Sequence, residues 1–94
     1  MRVAILGLGI VGRGVYDLLI EETDIEVAYI VEIDDVKMKG LEHLKAPSFE
    51  HVLEDESIDT IIEVIGGKTI AYRMVKQALE AKKHVVTANK ALIS

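Results

Sequence analysis

The 94-residue sequence has no cysteine. That excludes a disulfide framework, a thiolate nucleophile and any metal site built on cysteine, and it fits a reducing cytoplasm, the location expected here. No apolar run approaches the roughly 18 residues needed to cross a bilayer, so no membrane role is expected. A basic stripe is missing too: 11 lysines and arginines are scattered among 16 acidic residues, with a net charge of −5 and a pI near 5.1. Nucleic acids are held largely by clustered cations, so they are not an expected partner. His43, His51 and His84 lie far apart without ligand spacing, and no metal site is expected. There is no internal repeat, low-complexity tract or linker. One domain over residues 1–94 is expected, with no room for a second.

What remains is a globular balance, half apolar and 29% charged. The opening Met1-Arg2 and the apolar stretch from Val3 to Val11 superficially resemble a secretory leader. Glycines at 7, 9 and 12 interrupt that stretch, and no small-residue cleavage site follows, so it is read as part of the fold.

Four short apolar runs predict strands at Val3–Leu6, Val27–Val31, Thr60–Ile65 and Val85–Thr87. Three are continuously apolar at their centres, the pattern of strands buried on both faces of a parallel sheet. Between them, Val15, Leu18 and Leu19 share one face of a helix of about three turns after Gly12. Ile70, Met74, Val75, Ala78 and Leu79 mark a helix over Thr69–Lys82, with Thr69 able to cap its start and Lys82 and Lys83 suited to its negative end. In the middle, Asp34–Glu42 reads as a short helix, Leu44–Ala46 as a vestigial strand and Ser48 as the cap of a brief helix through Leu53. Strand and helix in alternation predict an α/β fold: a Rossmann-like, doubly wound, mostly parallel sheet, incomplete at its C-terminal edge. The open edge is a place for a partner, a homodimer included.

Gly7-Leu8-Gly9-Ile10-Val11-Gly12 follows the first strand directly and opens the first helix, the context in which a G-x-G-x-x-G spacing binds a dinucleotide. Gly7 permits the tight turn, Gly9 removes the side chain that would block a pyrophosphate, and Gly12 lets helix and strand pack closely. Free amides at the helix start, around Ile10 and Val11, then face the anion. Arg13 could approach a phosphate but reads more simply as a solvated charge. Twenty residues after Gly12, Glu32 ends the second strand, where a carboxylate accepts hydrogen bonds from ribose hydroxyls and repels a 2′-phosphate. It favours NAD over NADP. Lys37 and Lys39 lie just beyond it and could reverse that preference if their loop folds back.

Two further segments carry more information: Ile62-Glu63-Val64-Ile65-Gly66-Gly67, and Lys83-His84-Val85-Val86-Thr87-Ala88-Asn89-Lys90-Ala91-Leu92-Ile93. Together they resemble the homoserine dehydrogenase family, and the resemblance extends over all 94 residues. It implies that Ile65, Gly66 and Gly67 form a loop passing the cofactor, and that Thr87, Ala88 and Asn89 lie along its nicotinamide side. It further implies that Lys90 is catalytic, with an ammonium facing the substrate oxygen that alternates between aldehyde and alcohol. The reaction implied for the full-length parent is hydride transfer between aspartate 4-semialdehyde and homoserine, on the path to threonine and methionine. One departure is that Lys68-Thr69-Ile70-Ala71 stands where the family commonly has a proline after the paired glycines.

By the same resemblance the family's substrate domain would lie downstream of Ser94, and a cofactor half-site alone is expected to turn over little substrate. Glu63, inside a buried-looking strand, either takes a backbone amide or points into the cofactor cleft. Structural use is the favoured reading. Glu54-Asp55-Glu56 reads as a solvated turn. Two alternatives use fewer of these residues. A non-catalytic nucleotide-sensing module needs only the glycine turn and Glu32. An aspartate dehydrogenase-like oxidoreductase would share the glycine turn and the His-Val-Val strand without Thr-Ala-Asn-Lys-Ala-Leu.

Overall fold

A computed structural model describes residues 1–66 and 69–88. Its elements run β1 (Arg2–Leu6), α1 (Ile10–Leu19), β2 (Glu26–Val31), α2 (Phe49–Glu54), β3 (Thr60–Glu63), α3 (Thr69–Glu80) and β4 (His84–Thr87). All pairings are parallel and the sheet order is β2-β1-β3-β4. Beyond β2, Lys45 makes a single parallel bridge to Ile30, and the Ala46 amide donates to the Ile30 carbonyl at 2.9 Å. This is the expected vestigial strand, and the doubly wound α/β reading holds.

Alternating side chains of β1 feed two separate cores. Ile5 joins Leu8, Ile30, Met38 and Leu41 on one face, covered by α1 through Val15, Tyr16 and Leu19. Ala4 and Leu6 join Phe49, Val52, Ile58, Ile61 and Ala78 on the other, under α2 and α3. Small residues decide which side of each helix turns inward. Gly12 is buried in α1, so the stripe runs 12-15-16-19 and Leu18 faces solvent, unlike its expected place. In α3 the buried residues are Ala71 and Ala78, while Ile70 and Leu79 are exposed, because the alanines allow the closer approach to the sheet.

Element ends have local causes. The Ser48 hydroxyl accepts from the His51 amide at 3.1 Å, the expected cap of α2. The helix expected over Asp34–Glu42 is instead a run of turns closed by bonds such as Lys37 N–H to Asp34 O at 3.1 Å, followed by a single 3-10 turn at Glu42–Leu44. Strand β3 stops two residues early because the Glu63 carboxylate takes the Ile65 amide at 2.7 Å, drawing the chain out of the ladder. Thr69 is the first residue of α3 rather than the cap before it. Past α3, Lys82 at φ 64° sends its amide to Leu79 O and the Lys83 amide reaches Ala78 O, closing the helix in a Schellman turn. The Lys83 ammonium does not serve the helix end: it donates to Asp55 O and Ile58 O, each at 2.7 Å.

Nor is Asp55 a merely solvated residue. It accepts from the Ser57 hydroxyl at 2.6 Å and the Ser57 amide at 2.9 Å, and from the Tyr29 phenol at 3.0 Å. These bonds, the Ser57 hydroxyl first, lower its pKa from 3.8 to about 2. A depressed folded-state pKa stabilises above the unfolded value and is lost as pH falls through the folded one. Part of the fold's stability is therefore expected to disappear between about pH 4 and pH 2. In a series of thermal melts across that window, Asp55→Asn is expected to show a shallower acid dependence. An unchanged slope would count against the assignment.

Candidate functional site

The chain leaves β1 for β2 on one side of the sheet and later returns to β3 on the other. A crevice therefore opens at the C-terminal ends of β1 and β3, the place where open α/β sheets hold ligands. Gly7 turns the chain there at φ 96°, with its amide donating to Val31 O at 2.9 Å. A Cβ on Gly7 would lie 3.0 Å from the Ile65 backbone, and one on Gly12 only 2.4 Å from Gly7 O. Both glycines are thus required by packing. Gly9 differs, since a Cβ there would meet nothing within 4 Å. The space beside it is open, and α1 starts there with no side-chain cap and no acidic residue in its first turn. The first-turn amides, those of Ile10 and Val11 among them, have no intrahelical acceptor and suit an anion. Ile10 is 95% exposed on the same rim.

Adjoining Gly9 is a cleft of about 420 Å³, lined on one side by Glu32, Ile33 and Lys37 and on the other by Ile65, Ile70 and Met74. The Glu32 carboxylate accepts from the Leu8 amide at 2.8 Å and the Asp34 amide at 3.0 Å, one on each oxygen. It ties the glycine turn to the end of β2, and each oxygen keeps a lone pair for a further donor. Lys37 lines the cleft, whereas Lys39 is exposed outside it. Arg13 is half exposed and paired with Asp17 at 3.3 Å, beside Gly9, Ile10 and Lys37 in an open depression next to the glycine turn.

On the other half of the crevice, Ile65 and Gly66 follow β3, Thr87 ends β4 and Ala88 comes directly after it. Glu63 joins these two ends. It is fully buried, taking the Ile65 amide on one oxygen and the Thr87 hydroxyl at 2.5 Å on the other, and its carbonyl accepts from the Ala88 amide at 3.2 Å. The bond to the Ile65 amide is the structural use expected of it; the bond to Thr87 depends on the register of β3 against β4, which no local sequence pattern carries. Gly67, Asn89 and Lys90 lie outside the described residues. Among the described residues no group of three or more His, Asp or Glu could hold a metal ion.

An open side at Gly9, an uncapped helix start and a carboxylate at the end of β2 together fit a pyrophosphate and an adenosine ribose. The family model for the homoserine dehydrogenase NAD binding domain matches residues 7–94. The chain belongs to that family. As a homoserine dehydrogenase NAD-binding domain, it takes a nicotinamide dinucleotide. It is 37% identical to the homoserine dehydrogenase of Bacillus subtilis and 36% identical to that of Pseudomonas aeruginosa, in both cases over the whole chain and 24% of the relative. Among solved structures, the Staphylococcus aureus homoserine dehydrogenase superposes with a TM-score of 0.83 at 32% identity, over 97% of this chain and 26% of that one. A homoserine dehydrogenase from Thiobacillus denitrificans gives 0.83 at 33% identity, over 99% and 24%. The chain thus spans about a quarter of the length of the curated relatives it matches.

Proposed function

We propose that this domain binds NAD in preference to NADP, as the cofactor part of an enzyme that moves hydride between aspartate 4-semialdehyde and homoserine. The carrying observation is the open space at Gly9 beside the uncapped start of α1, with the Glu32 carboxylate tied to the same turn. Gly7, Gly9 and Gly12 shape the phosphate turn, and the amides of Ile10 and Val11 meet the pyrophosphate. Glu32 receives the ribose hydroxyls. Its negative charge, with Asp34 beside it, outweighs the single cation of Lys37 on the same cleft wall and disfavours a 2′-phosphate. Ile65, Gly66, Gly67, Thr87, Ala88 and Asn89 flank the nicotinamide half. The cofactor supplies the hydride acceptor and donor. Lys90 holds the substrate oxygen and stabilises the charge that develops on it.

The groups that grip the substrate are proposed to belong to the further length that the relatives possess. A cytoplasmic location belongs to the same reading, as does a homodimer; no helix among the described residues is long and apolar enough to cross a membrane. The reading is tested by calorimetric titration with NAD and NADP. NAD is expected to bind more tightly, and Glu32→Ala to lose about ten-fold or more of NAD affinity, the worth of hydrogen bonds to a charged group. Tighter binding of NADP, or an unaffected Glu32→Ala, would contradict the preference. No binding of either would contradict the site.

A further inference from the structure

We infer that Glu63 biases this site toward the oxidised form of its dinucleotide. The inference rests on the dinucleotide reading above. Glu32 at the end of β2 fixes the adenosine half on one side of the crevice, which leaves the ends of β3 and β4 for the nicotinamide half. Glu63 sits beneath those two ends, with 0% of its surface exposed. Both its carboxylate oxygens accept hydrogen bonds, from Ile65 N–H and from the Thr87 hydroxyl. Among the described residues none of the ion pairs involves it.

As a latch alone, a carboxylate is an expensive choice. Glutamine in the same place could accept from the Ile65 amide with its oxygen and donate to the Thr87 hydroxyl with its nitrogen, joining the same strands without burying a charge. What glutamate adds is a carboxylate charge in a position shut off from solvent. The oxidised and reduced dinucleotides differ by one hydride and by one unit of positive charge on the nicotinamide ring. A buried carboxylate near that ring attracts the cationic form and is indifferent to the neutral one. In surroundings of low effective dielectric, one such charge changes the ratio of the two affinities by about ten-fold.

The test is the ratio of dissociation constants for NAD+ and NADH, measured on the purified chain by calorimetry and by NADH fluorescence. The unaltered chain is expected to hold NAD+ at least as tightly as NADH. Glu63→Gln is expected to shift the ratio about ten-fold toward NADH, chiefly by weakening NAD+. Glu56→Gln removes the same unit of charge from the exposed turn before β3, at the far end of the sheet, and is expected to leave the ratio unchanged. Equal weakening of both forms in Glu63→Gln would reduce Glu63 to a latch and overturn the inference. So would a several-fold preference for NADH in the unaltered chain, a measurement that stands even if Glu63→Gln does not fold. Failure of the unaltered chain to bind either form would instead remove the dinucleotide reading itself.

Discussion

Valine at Gly9 is expected to abolish dinucleotide binding, by a hundred-fold or more, while the melting temperature moves by no more than a few degrees. Valine at Gly12 is expected to cost the fold. The two glycines belong to one motif, yet the atoms around them differ. Gly9 has an extended backbone, φ −76° and ψ −160°, that valine adopts without strain, and its missing Cβ points into open space. Branched carbons there displace only what would be bound. At Gly12 the first added carbon already lies 2.4 Å from the Gly7 carbonyl and 3.1 Å from Val64. That carbonyl is backbone, held in a turn whose amide is bonded to Val31. Relief of the clash requires α1 to lift, taking Val15, Tyr16 and Leu19 off their core. Overpacking of this kind costs about 3 kcal/mol or more, a large share of the roughly 5–15 kcal/mol that holds a small domain together. Circular-dichroism melts beside NAD titrations separate the two effects. Wild-type affinity in Gly9→Val, or a wild-type melt in Gly12→Val, would be incompatible with this account.

The second large effect is expected at Lys83, far from the cleft. Lys83→Met is expected to lower stability by about 2–4 kcal/mol and to leave the NAD affinity of the folded fraction unchanged. Only 8% of Lys83 is exposed, and its ammonium satisfies the carbonyls of Asp55 and Ile58 across the turn that leads into β3. Methionine keeps the length and the apolar stem but removes the donor: the Asp55 carbonyl keeps the Ile58 amide at 3.1 Å and loses only its charged bond, while the buried Ile58 carbonyl loses the Lys83 donor, at about 1–3 kcal/mol. For a domain of this size the loss corresponds to a fall in melting temperature of roughly 10–25 °C. A loss below 1 kcal/mol would mean that water replaces the ammonium and that the clamp is dispensable. Sequence proximity to α3 suggested a helix-dipole role for Lys83; its partners come instead from residues 25 and 28 positions away.

That contrast separates what was legible in the sequence from what was not. The glycine turn, Glu32 and the cap at Ser48 depend on neighbours within a few residues or on a fixed position at a strand end, and they stand where the sequence places them. The outward orientation of Leu18, Ile70 and Leu79 was not legible, because hydrophobicity points large side chains inward while close approach to this sheet is granted by Gly12, Ala71 and Ala78. The Glu63–Thr87 bond needed the register of β3 against β4, in which these two residues are direct partners. The bond of Tyr29 to Asp55 likewise joins a strand to a turn that no local pattern connects.

The position of β1 has a consequence for how the molecule comes into being. Its four residues Val3 to Leu6 are the most deeply enclosed run in the sheet, paired with β2 on one flank and β3 on the other. They also leave the ribosome before both of their partner strands. Val3 meets Val27 soon afterwards, but its other neighbour, Thr60, is made roughly 3–12 s later at ~5–20 residues per second. Through that interval the nascent chain carries an apolar strand with one naked hydrogen-bonding edge, which another nascent copy can fill as readily as β3.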